Sequence, residues 1–294
     1  MNKIRLILLL AIASLVTVSC SLLKTENTEE TFLWKVDDGS SHIYLLGSIH
    51  VAKPDMYPLD YRIEEAYRES DIVAFEIDMT TIDPIKLIDY MTYTDGTKLK
   101  DKISAENYEK LRQKFISAGM TEEGFGKMRP WAVATTAQQI TLGKAGYDQT
   151  LGIDQHFMNK ASIDEKRVRA LETVEYQFGL LSSFDKVGDS FIEYVLESTE
   201  DPTAEVDRMV AAWKKGDKES LLNILDSARY DYPEFEEMFE KIIDERNDNM
   251  TKKVEDWLKE DKTMFIVVGA GHLIGERGII NQLKKTDKYK ITNF

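Results

Sequence analysis

The chain has 294 residues, 43% of them hydrophobic, with 52 acidic against 38 basic side chains and a net charge of -14. That apolar fraction excludes disorder over the whole chain. The acidic balance repels phosphate backbones, so nucleic acid is not an expected partner. A single cysteine excludes an internal disulfide and a thiolate metal cluster.

That cysteine closes an N-terminal address. Met-Asn-Lys-Ile-Arg is followed by an apolar run from Leu6 to Val18 and then by Ser19-Cys20. A basic head, a short apolar middle and a small-residue exit mark an export signal. The run is shorter than the roughly 20 residues of a membrane-spanning helix. Its end resembles a bacterial lipobox, relaxed at Thr17 and Val18. The expectation is a signal peptide over 1–19, a lipidated Cys20 and a polar tether over 20–31. The protein would then be exported and anchored by lipid to a membrane of the bacterial cell envelope. A plain signal peptide with an incidental cysteine is the alternative.

Phe32–Val36 and His42–Leu46 are short apolar runs around Asp38-Gly39, a hairpin signal. Leu59–Ser70 has helical spacing, and Ile72–Ile77 is a compact apolar strand. From Asp83 to Leu142 the pattern is helical, with Ser104 as an N-cap and Pro130 in a first helical turn. A helix over Gly152–Ala161 and a short strand over Arg167–Leu171 follow. Helices are expected at 173–183, 186–198, 203–214, 218–228 and 233–258. Met264–Val268 is a strand, Glu276–Lys284 a helix and Tyr289–Thr292 a closing strand. Strands thus cluster at both ends. The expected fold is α/β, with one mixed sheet built by both ends of a domain over 32–294 and a helical insertion over about 83–258.

Two segments repeat one another. Ile43-Tyr44-Leu45-Leu46 leads into Gly47-Ser48-Ile49-His50, and Phe265-Ile266-Val267-Val268 into Gly269-Ala270-Gly271-His272. Each histidine falls just past the end of a strand, where ligands bind in α/β sheets. Glu76 and Glu172 also follow short apolar strands. Two imidazoles and a carboxylate are a familiar ligand set for zinc, iron or manganese. Taken alone, a histidine after a strand is more often a hydrogen-bonded structural residue and a strand-end glutamate often a helix cap; the repeated Gly-x-x-His strengthens the functional reading of the pair. His42, His156 and the aromatics Tyr90, Tyr93, Phe235 and Phe239 read as structural. The glycines 269, 271 and 275 do not have dinucleotide-binding spacing.

The chain resembles the TraB/GumN (TraB/PrgY) family, which is related to the Tiki metalloproteases. The motifs are Leu46-Gly47-Ser48-Ile49-His50-Val51, Phe75-Glu76-Ile77-Asp78, Arg129-Pro130-Trp131, Gly152-Ile153-Asp154, Leu171-Glu172-Thr173 with Gln177, Glu245-Arg246-Asn247, and Val268-Gly269-Ala270-Gly271-His272. The resemblance implies an erythromycin-esterase/ChaN-like fold of two related halves. Through the Tiki relatives it implies a metal-dependent protease favouring manganese or cobalt. On that basis His50, His272 and Glu76 would hold the metal. Glu172 would be a fourth ligand or a general base, and Arg246 would stabilise an oxyanion or grip a substrate carboxylate. Asp154, Gln177 and Asn247 would orient the ligands. The expected partner is a peptide or protein substrate. A lipoprotein that binds a peptide or haem without chemistry is the competing expectation.

Overall fold

The structure, a computed structural model, describes residues 30–197 and 202–294. The expected signal peptide, Cys20 and nearly all of the tether lie outside the described residues.

A six-stranded mixed sheet forms the centre. Its strands are β1 (Leu33–Asp37), β2 (His42–Ser48), β3 (Ile72–Phe75), β4 (Arg167–Ala170), β5 (Met264–Gly269) and β6 (Lys290–Asn293), in the order β4-β3-β5-β2-β1-β6. β1 and β2 form the expected hairpin, with Leu33 opposite Leu46. Asp38 makes its turn, because its Oδ1 accepts hydrogen bonds from the backbone of Ser40 and Ser41 at 2.9 and 2.8 Å. The strands β2, β5, β3 and β4 run parallel, and β1 is antiparallel to both of its neighbours. The first and last strands of the described residues therefore enter one sheet, as the strand pattern predicts. The expected helical insertion also supplies an edge strand, β4.

Helices cover the sheet. α1 (Tyr61–Glu69) links β2 to β3; α2 (Pro84–Met91), α3 (Ala105–Ser117), α4 (Pro130–Lys144) and α5 (Ile153–Ile163) precede β4. α6 (Val174–Ser182), α7 (Gly188–Glu197), α8 (Pro202–Lys214), α9 (Lys218–Asp231) and α10 (Glu245–Leu258) lead to β5. A short α11 (Ala270–Leu273) and α12 (Ile279–Lys285) complete the chain. The connections β2-α1-β3 and β5-α12-β6 move in opposite directions across the sheet, which for right-handed crossovers puts α1 and α12 on opposite faces. Phe265 shows how the core closes on the first face. Its buried ring lies 5.7 Å from Tyr67 of α1 and 4.9 Å from Phe157 of α5. A second apolar cluster, around Leu111, Phe115 and Val133, holds the helical region together.

Sequence caps behave as read. Ser104 Oγ accepts from the Asn107 N–H at the start of α3, and Pro130 opens α4. Two helical expectations change. The stretch 233–258 divides into single turns, a π turn over Glu240–Asp244 and then α10. Arg246 Nη1 donates to the Ile242 carbonyl at 3.0 Å within that distorted stretch. π turns of this kind are frequent at functional sites. The helix expected from Glu276 begins only at Ile279, with Gly278 as its cap. The turn α11 has only four residues, too few for periodicity to show it.

Candidate functional site

Because β2, β5 and β3 are parallel, their C-terminal ends form one rim, and the site is assembled there. The two Gly-x-x-His repeats are neighbours, but they are staggered. Gly47 pairs with Val268, and Ser48 pairs with Gly269. His50 therefore leaves β2 through an exposed loop, whereas His272 sits in α11 and is 5% exposed. The repeated motif ends in two unlike environments.

Each imidazole is aimed by a different partner. Asp154 Oδ1 lies 2.9 Å from His50 Nδ1, and Asn247 Oδ1 lies 2.7 Å from His272 Nδ1. Asn247 Nδ2 donates to the Arg277 carbonyl at 3.1 Å, which fixes the amide and leaves its oxygen for the ring. Both histidines thus carry a proton on Nδ1 and turn Nε2 into the site. Burial drives the His272 imidazole down to about 4, keeping it neutral. Desolvation also opposes charge on His50, but the Asp154 hydrogen bond and the charges of Asp154 and Glu76 outweigh it and lift the ring to about 9. Asp154 is positioned by the start of α5. Its cap, Gly152, has no room for a side chain, since a Cβ there would stand 2.5 Å from the His50 carbonyl oxygen.

The carboxylates meet at a buried guanidinium. Arg246 Nη2 lies 2.5 Å from Glu76 Oε2 and 2.7 Å from Glu172 Oε2, and its Nε reaches both Glu172 oxygens at 3.0 and 2.9 Å. Glu76 also accepts from Gln177 Nε2 at 3.0 Å and from the Gly269 N–H at 2.7 Å. Burial alone would raise its carboxyl. His272, Arg246, His50 and the Gly269 N–H together hold it well below the usual range. Burial raises the Glu172 carboxyl against the pull of Arg246. Arg246 is not an exposed helix charge paired with Glu245; its side chain is 8% exposed and bridges two acids from two strand ends.

A missing side chain makes the central space. A Cβ on Gly269 would stand 3.3 Å from Glu76 Oε1, 3.6 Å from His272 Cδ2 and 3.8 Å from His50 Nε2. His272 Nε2 and Glu76 Oε1 face each other at 3.8 Å, too far for a hydrogen bond. Among the described residues, no group of three His, Cys, Asp or Glu side chains stands in ready ligand geometry. The donor chemistry of His50, His272 and Glu76 nevertheless suits a divalent cation: two Nε2 atoms and a carboxylate oxygen border one glycine-sized gap, and His50 becomes a donor once it gives up its Nε2 proton. Glu172 has its hydrogen bonds with Arg246, not with either imidazole.

The gap opens into a cavity of about 780 Å³. Sequence reasoning did not foresee its far wall, where Leu180, Leu181, Leu221, Leu222, Leu225 and Phe239 come from α6, α9 and the turn before α10. Those leucines fall in the helices expected at 173–183 and 218–228, but which of their faces meets the site depends on packing between distant segments. Of the residues read as structural, His156 packs its ring between Tyr57 and Phe157 at 4.8 and 4.9 Å, and Phe235 is fully buried. His42 opens β2 away from the rim, edge-on to Tyr44 at 5.2 Å.

Residues 32–292 match the TraB/PrgY/gumN family. The chain belongs to that family. It is 24% identical over 250 residues to the uncharacterized protein YbaP of Escherichia coli, covering 84% of this chain and 89% of YbaP. It is also 24% identical to metalloprotease TIKI1 of Xenopus tropicalis, over 92% of this chain and 63% of that protein. With metalloprotease TIKI2 of the same frog the identity is 23%, over 92% and 61% of the two chains. These TIKI proteins are therefore longer than the segment this chain matches. No solved structure matches the chain.

Proposed function

We propose that this protein is a metal-dependent hydrolase acting on peptides, exported and anchored by lipid at Cys20 to a bacterial envelope membrane. One observation carries the reading. His50, His272 and Glu76 border the same gap at Gly269, with both Nδ1 atoms already held by Asp154 and Asn247. Relatives named metalloproteases support it. The fold assignment that goes with it is erythromycin-esterase/ChaN-like, with the two Gly-x-x-His ends as its related halves.

His50, His272 and Glu76 would hold a divalent ion, manganese or cobalt by resemblance, with zinc or iron as other candidates. Such an ion supplies Lewis-acid activation of water and of a carbonyl oxygen. Asp154 and Asn247 keep each Nε2 turned inward. Arg246 holds Glu76 ionised and fixed, and its buried positive charge favours an oxygen gaining negative charge nearby. Glu172 can take up a proton only when its contacts with Arg246 open, so its first role here is to hold that guanidinium. The leucine wall excludes water and receives the apolar part of a substrate.

The same wall favours a second reading, a protein that binds a peptide or haem without turnover. Metal content decides between them. The hydrolase reading expects stoichiometric metal in the wild-type protein, lost from His50→Ala/His272→Ala, and peptide cleavage that disappears with it. Peptide binding that survives both substitutions, with no cleavage by the metal-supplied wild type, would establish the binder instead.

A further inference from the structure

Among the described residues, three guanidiniums line the cavity, and each is already engaged. Arg246 is held by Glu76 and Glu172. Arg229 lies 2.5 Å from Glu236 Oε1 and 3.1 Å from Asp244 Oδ2. Arg277 lies 2.8 Å from Asp248 Oδ2 and 3.6 Å from Asp244 Oδ2. Among the described residues, no lysine lines the cavity.

Among the described residues two carboxylates of the lining, Asp226 and the exposed Glu276, have no such pairing, and Asp226 is the less exposed of the two. It lines the cavity from α9, one residue past Leu225, and is only partly exposed. Among the described residues no hydrogen bond or ion pair joins its carboxylate. Burial raises that carboxyl, and Arg229 offsets this only in part. A second polar group in the same lining also stands unsatisfied: Ser48 is 3% exposed and, among the described residues, its hydroxyl has no hydrogen-bond partner. Unpartnered polar groups in a leucine-walled cavity are costly unless a ligand or water completes them.

We propose that Asp226 makes the cleft select ligands that place a positive charge beside a bulky apolar group, over their neutral and anionic counterparts. An ammonium or guanidinium would give the carboxylate charge-assisted hydrogen bonds that the protein does not supply. A carboxylate beside Asp226 would face that acid directly and would find the neighbouring Arg229 already held by Glu236 and Asp244. The acidic surface of the whole chain steers approach in the same sense. The peptide nature of the ligand rests on the hydrolase reading; the charge preference rests on the cavity.

Binding tests it without cleavage. Three acetylated, amidated peptides of one leucine-containing sequence, differing only in a Lys, Gln or Glu beside the leucine, are titrated by calorimetry into the protein. The Lys peptide is expected to bind about tenfold tighter than the Gln peptide, the size of one charge-assisted contact, and the Glu peptide weaker still. Asp226→Asn brings the Lys peptide to the Gln level, while Asp226→Glu retains the preference. Raising salt to about 0.5 M shrinks the wild-type difference. Three wild-type affinities within about twofold, failure of every peptide to bind, or a Lys preference that survives Asp226→Asn overturns the proposal. The wild-type comparison and the Glu variant still decide if the Asn variant does not fold. A protein that binds the Lys peptide but never cleaves it, even with metal, sustains this inference and removes the hydrolase reading.

Discussion

Asn247 Oδ1 lies 2.7 Å from His272 Nδ1, and that one contact, made by a helix residue to a ring past a strand end, sets which nitrogen faces the cavity. Asn247 is 1% exposed, and its amide is pinned by the Arg277 carbonyl. Replacing it with Ala leaves the ring without its acceptor. Metal affinity should fall by about 10–100-fold, the usual cost of losing a group that orients a ligand. Asn247→Asp, which keeps an acceptor, should recover part of it. A competition titration with a chelating dye measures both, and an unchanged affinity in Asn247→Ala would refute the orienting role.

His50 and His272 should give metal uptake a simple pH dependence. His272 is neutral above about 4, so it does not compete for protons near neutrality. His50 is raised to about 9 and must lose its Nε2 proton to bind metal. Affinity should therefore rise about tenfold per pH unit up to about 9 and then level off. The stability sign is opposite. The ion pair with Asp154 contributes fully below the unfolded value of about 6.5 and is lost as pH rises through the folded value. Asp154→Asn should flatten the uptake profile by lowering His50. A flat profile in the wild type would count against this assignment.

Gly269→Ala places a methyl group in the gap itself, 3.3 Å from Glu76 Oε1 and 3.8 Å from His50 Nε2. The crowding falls on side chains that can shift, so the sheet should survive. Metal content and peptide cleavage should drop together, while the melting temperature moves by no more than about 5 °C. Normal metal binding in a folded Gly269→Ala protein would show that the gap is not where the ion sits.

Arg246→Met removes the positive charge from between Glu76 and Glu172. Two buried acids are then left uncompensated, at a cost of about 3–5 kcal/mol. Urea unfolding should show this loss. Adding Glu172→Gln should restore part of the stability, because one of the two buried, uncompensated charges is gone. Arg246→Lys should not rescue, since an ammonium cannot reproduce the fork that touches both Glu172 oxygens and Glu76.

Phe265→Ala addresses the sheet instead of the site. The ring is fully buried between Tyr67 and Phe157, and its removal should cost about 3–5 kcal/mol. The urea midpoint should fall without a change in the metal stoichiometry of the folded fraction.

The sequence alone determined the strands and most of the longer helices, and their order. Apolar runs of four to six residues mark β2, β3 and β5, and Ser104 and Pro130 mark helix starts, because these signals are local. Strand-end position also singled out His50, His272, Glu76 and Glu172, whereas Asp154, Gln177, Asn247 and Arg246 came only from the family resemblance. Tertiary structure alone decided how they pair. Gln177 on Glu76, Asp154 on His50, Asn247 on His272 and Arg246 between two glutamates join positions 25 to 170 residues apart. No local periodicity encodes such separations. Two like motifs also became unlike sites, because a one-residue stagger between β2 and β5 leaves His50 exposed in a loop and buries His272 in a helical turn. The opening charge count told the sign of the surface. Only packing decided that Asp226 stands unpaired in the cavity while Arg229, Arg246 and Arg277 are engaged, since pairing depends on which helices share a wall.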